Sequence, residues 1–397
     1  MENKSIENIA IIITKLNGGG AERAASNLSI ELSKKYNIIL IVFDGRNITY
    51  PYKGTLIDLK IKDSNSFFER VINVFKRVRK VRKIKNLYKI QCSISLLDGP
   101  NIVNVLSRIG ERTIVSIRDR LSSETVSKLR RKLIIYSSMK SDLTVCLSKM
   151  VERDMKDVFG IPQKKLAVVY NHVDAELLRS LSQNCEKPNF IKNNQIYITT
   201  MGRLNHQKGQ WHLIRAFKHV TKEIPNINLI IMGEGELKNN LQKLADDLDI
   251  SDRVIFTGYI KNPHNVLRYS EMFVFSSLFE GLGNVLLEAL SFDMPIISTD
   301  CIAGPREILA PGTDLNKKID SIEYGEYGIL TPTFDDLHFD ADSDLTKAET
   351  VFADAIIKLH FDSTLKQKYS EKAKQRIKYF DKNRITEQWC KCISNNK

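Results

Sequence analysis

The 397-residue sequence has no apolar run approaching the roughly 20 residues that cross a bilayer. Its longest runs, Ile9–Ile13 and Ile38–Phe43, are strand-sized. The opening Met-Glu-Asn-Lys has no signal-peptide core, so a cytoplasmic chain is expected. Cys92, Cys146, Cys185, Cys301, Cys390 and Cys392 are scattered, and the one close pair has no second pair to complete a zinc site. Reduced, mostly buried thiols are therefore expected. Zinc-finger spacing and the aromatic–basic signature of a single-strand binder are both missing, which argues against nucleic acid. A dinucleotide oxidoreductase would want G-x-G-x-x-G, and none is present. No Ser-His-Asp or Cys-His arrangement is evident.

What is present is globular. Apolar residues make up 42% and charged residues 27%, and the length suits two domains of about 190 residues each. Sixty Lys+Arg against 47 Asp+Glu give +13 and a pI near 9.3, which implies contact with an anion. The excess is confined to one half. Residues 1–190 hold 34 cations and 19 carboxylates, a net of +15, and residues 191–397 hold 26 and 28, a net of −2.

Short β-branched runs alternate with helical spacing, the pattern of a parallel sheet covered on both faces. Strands are expected at Ile9–Thr14, Ile38–Phe43, Cys92–Leu97, Thr113–Ile117 and Asp142–Leu147. The pattern restarts with strands at Gln195–Met201, Asn228–Met232, Val254–Thr257, Met272–Ser276 and Pro295–Ser298. The expected fold is α/β, with two doubly wound Rossmann-like domains and a ligand cleft between them. The domains are expected at 1–175 and 195–375, with a polar linker at 176–194. The final helical stretch, 376–397, is a candidate for crossing back to the N-terminal domain.

Four segments at strand ends carry chemistry. Leu16-Asn-Gly-Gly-Gly-Ala-Glu-Arg23 lets backbone approach a ligand ahead of a helix N-terminus, although a flexible turn would read the same way. In Gly202-Arg-Leu-Asn-His-Gln-Lys-Gly209, Arg203 and Lys208 are placed to reach one diphosphate; the plainer reading is two solvated cations. Phe279-Glu-Gly-Leu-Gly-Asn-Val-Leu-Leu-Glu-Ala-Leu290 puts Glu280 before a glycine turn and Glu288 among leucines, where a partly buried carboxylate needs a partner such as sugar hydroxyls. The alternative there is a capping Glu and an ordinary amphipathic helix. Gly304-Pro-Arg-Glu307 starts a further helix and reads equally as simple helix initiation.

Together, the order Gly-Gly-Gly-Ala-Glu-Arg, Gly-Arg-Leu…Lys-Gly, Met232-Gly-Glu-Gly235, Phe256-Thr-Gly-Tyr259, Glu–seven residues–Glu and Gly-Pro-Arg-Glu resembles family 4 of the retaining glycosyltransferases over residues 8–395. The stretch from Ser298 to Leu309 is similar to the capsule and O-antigen branch of that family. The resemblance implies the GT-B fold and transfer of a sugar from a nucleotide-sugar donor, expected to be a UDP-sugar. The acceptor it implies is a polyprenyl-diphosphate-linked glycan in cell-surface polysaccharide assembly. It implies that Arg203 and Lys208 hold the donor diphosphate, that Glu280 contacts the sugar and that Glu288 holds the ribose. Leu282, Gly283, Asn284 and Val285 would line sugar and phosphate, Tyr259 and Ile260 the base, and Gly19 and Gly20 would close over the donor. One departure stands out: where many members carry a histidine after the strand matching 113–117, this chain has Arg118 and Asp119. Both are acceptor-side candidates, and His172 reads as structural. No cofactor or metal is expected; the longest Asp-x-Asp run, Asp340-Ala-Asp342-Ser-Asp344, lacks strand or glycine context.

Segment 67–89 places apolar residues at 71, 74, 75, 78, 81, 84 and 88 on one helical face, and residues 69–89 carry nine cations against one Glu. An anionic contact is expected there: the phosphates of a lipid-linked acceptor, acidic headgroups, or both. Lys76, Arg79, Lys80 and Lys83 are the acceptor-side candidates, and a peripheral location on the inner face of the cytoplasmic membrane follows. A nucleotide-sugar 2-epimerase would share the two doubly wound domains, and a basic nucleic-acid binder would share the charge alone.

Overall fold

In the computed structural model, residues 7–64, 66–121, 126–183, 185–335 and 340–394 are described. The chain forms two compact units, Met1–Asn171 with Lys382–Lys397, and His172–Asp381.

The first unit is organised by apolar runs buried on both faces. β1 (Asn8–Ile13), β2 (Asn37–Val42), β3 (Thr55–Asp58), β4 (Cys92–Leu96), β5 (Arg112–Ile117), β6 (Leu143–Cys146) and β7 (Leu166–Val168) form one parallel sheet in the order β3-β2-β1-β4-β5-β6-β7. Alternate residues serve opposite faces. Ile9, Ile11 and Ile13 pack with Leu28 and Leu32 of α1 (Gly20–Leu32) and with Ile385, Trp389 and Ile393 of the C-terminal helix Lys382–Ser394. Ala10 and Ile12 pack with Val81 of α2 (Phe67–Leu87) and Val103 of α3 (Asp98–Leu106). Packing of α3 against both α2 and α4 (Lys128–Lys140) completes that layer. Each large side chain so buried stabilises by about 1.5–3 kcal/mol, which ties the last helix to the first sheet.

The second unit repeats the scheme. β8 (Ile196–Met201), β9 (Ile227–Met232), β10 (Val254–Gly258), β11 (Met272–Phe275), β12 (Ile296–Thr299), β13 (Glu323–Tyr324) and β14 (Ile329–Thr331) are ordered β10-β9-β8-β11-β12-β14-β13, with only the β13–β14 pair antiparallel. The helix Gln210–Glu223 contributes Trp211, Ile214 and Phe217 to the core, and Lys347–Phe361 contributes Phe352 and Ile356. A buried network joins these two helices: His212 Nδ1 and Arg215 Nε lie 2.7 and 2.9 Å from Glu349 Oε1. Burial alone would raise the Glu349 pKa, but its hydrogen bonds to His212, Arg215 and the Thr346 amide hold it below the usual range.

The structure corrects three expectations about organisation. Most of the first half of the expected linker, 176–194, is helical. The helix Ala175–Gln183 lies within the second unit, where Arg179 donates to Asp293 Oδ1 at 2.6 Å. Polar composition there reflects ties to neighbouring loops rather than a free tether. The segment 376–397 is divided: Arg376–Asp381 stays with the second unit, and the chain changes unit at Lys382. The short strands β3, β7, β13 and β14 were not expected: β7, β13 and β14 have two or three residues, too few for periodicity to register, and β3 is only partly buried.

All six cysteines are free thiols, three of them buried. The Asp340–Asp344 run lends backbone carbonyls to Arg215: Nη2 donates to Ser343 O and Asp344 O at 3.1 and 2.8 Å.

Candidate active site

In the second unit the strand order reverses between β8 and β11, where doubly wound sheets receive ligands at their carboxyl edge. The Gly202–Gly209 loop leaves β8, and the Ser276–Gly283 loop leaves its neighbour β11. Three hydrogen bonds tie the loops together. Ser276 Oγ donates to Lys208 O (2.8 Å), the Leu278 amide to Gln207 O (2.8 Å) and Gln207 Nε2 to Phe279 O (2.9 Å). Gly209 makes this approach possible, since its φ is +57° and a Cβ would sit 2.5 Å from Ser276 O.

The result is a direct ion pair between Lys208 and Glu280. Glu280 Oε1 also accepts from Ser277 Oγ at 2.8 Å, and Lys208 Nζ lies 5.5 Å from the centre of the Phe275 ring. Both side chains are largely buried, 18% and 8% exposed, so the pair is held in place and screened little. Arg203, by contrast, is exposed and has no side-chain partner among the described residues. One cation is thus fixed by a carboxylate and the other is open to an incoming anion. The resemblance places Lys208 on a diphosphate and Glu280 on a sugar separately; in the structure the two side chains pair directly.

Glu288 is buried, but its partner is not left to a ligand alone. His264 Nε2 lies 3.1 Å from Glu288 Oε2, and His264 Nδ1 lies 3.1 Å from Asn262 Oδ1. His264 gives no signal in the sequence because it stands 24 residues from Glu288; Ser277, two residues before the Phe279–Leu290 motif, reads as an ordinary turn residue. Leu282 to Val285 lead into the helix Asn284–Leu290, with Gly283 at φ +81° as its N-cap. Tyr259 is 79% exposed on the loop after β10, with Ile260 partly buried beside it. The Gly-Pro-Arg-Glu segment is structural: Arg306 bridges Asp300 and Glu323, with Nε 3.0 Å from Asp300 and Nη1 3.0 Å from Glu323. A Cβ on Gly304 would lie 2.1 Å from Leu282 O, so this turn abuts the Glu280 loop. Cys301 is wholly enclosed there, and burial raises its thiol pKa well above the usual range, leaving it inert.

In the first unit the reversal lies between β1 and β4. Gly19 is the N-cap of α1 and Gly20 its first residue, with Gly18 at φ +73° before them. Leu97, after β4, has φ +79° and ψ 156°, a region that favours glycine. Arg118 follows β5 and is buried. Its Nη2 donates to Asn171 Oδ1 and its Nη1 lies 3.4 Å from Ser116 Oγ, but Nε has no partner among the described residues. Burial lowers the Arg118 pKa to about 10, opposed by the charge of Asp119, which is exposed. A buried guanidinium with an idle donor is suited to an anion.

The basic helix α2 is also partly reassigned. Arg77 points inward, donating to Ile61 O (2.9 Å) and Asp63 (2.7 Å), and Lys85 is buried against Glu111 at 2.6 Å. Lys80 donates to Leu59 O at 2.7 Å. Lys76, Arg79 and Lys83 remain exposed without an ion-pair partner among the described residues.

Comparison with known proteins agrees with this geometry. Residues 18–177 match the glycosyltransferase family 4 model and residues 182–318 the glycosyl transferases group 1 model. The chain is 37% identical to an uncharacterized glycosyltransferase of Methanocaldococcus jannaschii, over 80% of this chain and 82% of that one. It is 27% identical to a Campylobacter jejuni enzyme, N-acetylgalactosamine-N,N'-diacetylbacillosaminyl-diphospho-undecaprenol 4-alpha-N-acetylgalactosaminyltransferase, over 96% and 97% of the two chains. Among solved structures, the Anabaena protein HepE in complex with UDP superposes with a TM-score of 0.76 at 16% identity, covering 98% and 100%. With two doubly wound units, a cation pair of motifs at the second reversal point and these matches, the chain belongs to the family 4 glycosyltransferases of GT-B fold.

Proposed function

We propose that this protein transfers a sugar, with retention of anomeric configuration, from a UDP-sugar to a polyprenyl-diphosphate-linked glycan during cell-surface polysaccharide assembly, working peripherally at the inner face of the cytoplasmic membrane. The observation that carries the reading is the Lys208–Glu280 pair beside the open Arg203 at the reversal point of the second sheet. Breaking a sugar–phosphate bond develops negative charge on the leaving diphosphate, and fixed cations in a site of low water content stabilise that charge. Arg203 supplies a fork of donors and Lys208 a point charge aimed by Glu280. Glu288, oriented by His264, takes the ribose hydroxyls. In this reading the cations, rather than a metal or cofactor, take the leaving-group charge. The Campylobacter relative's lipid-diphosphate acceptor and the UDP bound to the Anabaena neighbour support the choice of acceptor and donor classes.

Screening nucleotide sugars for thermal stabilisation, then assaying nucleoside diphosphate release with and without lipid-linked acceptor, tests the reading. Release only with acceptor is expected. Nucleotide-sugar isomerisation without acceptor would favour the 2-epimerase instead.

On the acceptor side, Arg118→Gln is expected to raise the KM for the lipid-linked acceptor about tenfold or more, with donor KM and melting temperature little changed. Arg118→Lys is expected to recover part of the loss. Equal effects on donor and acceptor KM would remove Arg118 from the acceptor side.

A further inference from the structure

Helix α2 was expected to carry one apolar face, and it carries two. At 100° per residue, Val78, Val81 and Ile84 fall on the side that packs on the sheet. Phe68, Val71, Ile72 and Phe75, spaced i, i+3, i+4 and i+7, fall on another side and face solvent, with Ile72 51% and Phe75 67% exposed. Helix α4 repeats the arrangement. Ile134 is buried, while Leu129, Leu133, Tyr136 and Met139 form an outward stripe, Leu129 at 57% exposure. Both helices flank α3 in the same layer, so both stripes point away from the sheet. Both begin at the sheet's carboxyl edge, the edge that also carries Gly19 and Arg118.

The charge of this layer is one-sided. Helices α2, α3 and α4 hold thirteen Lys+Arg and two carboxylates, Glu69 and Asp98. Asp98 pairs with Arg130 at 2.8 Å, and Glu69 accepts from Ser64 Oγ. Lys76, Arg79, Lys83, Lys128, Lys132 and Lys140 have no ion-pair partner among the described residues. Beside the α2 stripe an open cavity of about 380 Å³ is lined by Lys60, Lys62 and Lys76 together with Asp63, Glu69 and Asn73.

We propose that the outer faces of α2 and α4 form a single bilayer-docking surface. Ile72, Phe75, Leu129, Leu133 and Tyr136 enter the headgroup–acyl boundary, and the surrounding exposed cations take anionic lipid phosphates. Apolar side chains in a basic frame are what an anionic membrane interface accommodates. A second copy of this chain is a poor occupant, because like-charged faces would meet. Nucleic acid would match the charge but leave the aliphatic stripe unused. The inference rests on the membrane-bound acceptor proposed above and adds where the protein touches the membrane.

Flotation with vesicles of phosphatidylcholine alone and with about a third phosphatidylglycerol tests it. The full chain should float with the anionic vesicles and stay partly bound after a high-salt wash that removes purely electrostatic attachment. Ile72→Ser/Phe75→Ser and Leu129→Ser/Tyr136→Ser should each lower binding roughly tenfold or more, with unchanged melting temperature and unchanged stabilisation by nucleoside diphosphate. No flotation of the wild type with anionic vesicles, or flotation of either double variant equal to that of the wild type, would overturn the proposal. Conversion from dimer to monomer in those variants would assign the surface to a second copy and overturn it too. Nucleoside diphosphate stabilisation and acceptor-dependent release report separately on the transferase reading, so the two stand or fall apart.

Discussion

Lys208→Ala should lower kcat by about 10²–10³-fold in a chain that still folds, since it removes one fixed cation from a developing diphosphate. Glu280→Ala should be similarly damaging for a second reason. Its carboxylate is what aims Lys208, through the direct ion pair and the 2.8 Å hydrogen bond from Ser277. The two roles open to Glu280 separate in a double-mutant cycle. If Glu280 acts only through Lys208, the Lys208→Ala/Glu280→Ala chain should be no slower than Lys208→Ala. If Glu280 also touches the sugar, the double variant should lose more than either single one. Glu280→Gln keeps an acceptor oxygen for Lys208 and should fall between wild type and Glu280→Ala. Near wild-type turnover in both single variants would sink the donor-site assignment.

Why these two side chains meet was hidden in the sequence. They stand 72 positions apart, and only the adjacency of β8 and β11 brings their loops together. The strands themselves were legible, because a parallel sheet covered on both faces writes near-continuous apolar runs such as Ile38–Phe43 and Asn228–Met232. Short pieces such as β13 and the three-residue β7 and β14 leave no comparable mark. Charge was the least legible property. The nine cations counted in 69–89 toward an anionic contact include Arg77 and Lys85, although Lys85 lies four residues after Val81 and seven after Val78, on the buried face. Glu288 shows the converse: burial among leucines was foreseen, yet the histidine that meets it lies on a separate short helix, His264–Leu267.

Lys85 also supports the strongest stability prediction. Its ammonium donates to Glu111 at 2.6 Å and to Asn104 Oδ1 at 2.7 Å, and both members of the pair are fully buried. Glu111 in turn accepts from Ser93 Oγ at 3.0 Å and from the Ile109 amide at 2.8 Å. Such a pair is costly to form but far costlier to break by halves, so Glu111→Gln should destabilise the first unit by about 3–5 kcal/mol. Lys85→Met combined with Glu111→Gln should recover much of that loss, because neither charge is then stranded. Burial lowers the Lys85 pKa from its usual 10.5 to about 8, against the attraction of Glu111. Without Glu111 the folded-state value drops further, so the variant sheds its proton below pH 8 while the unfolded chain keeps it. The unfolded state then binds more protons than the folded one, and the variant gains stability as pH rises. Its deficit against wild type should therefore be largest near about pH 6 and shrink toward about pH 8, as read by denaturant unfolding at each pH. A deficit that is constant across that range would mean the lost energy lies in packing and hydrogen bonds rather than in an unpaired buried cation.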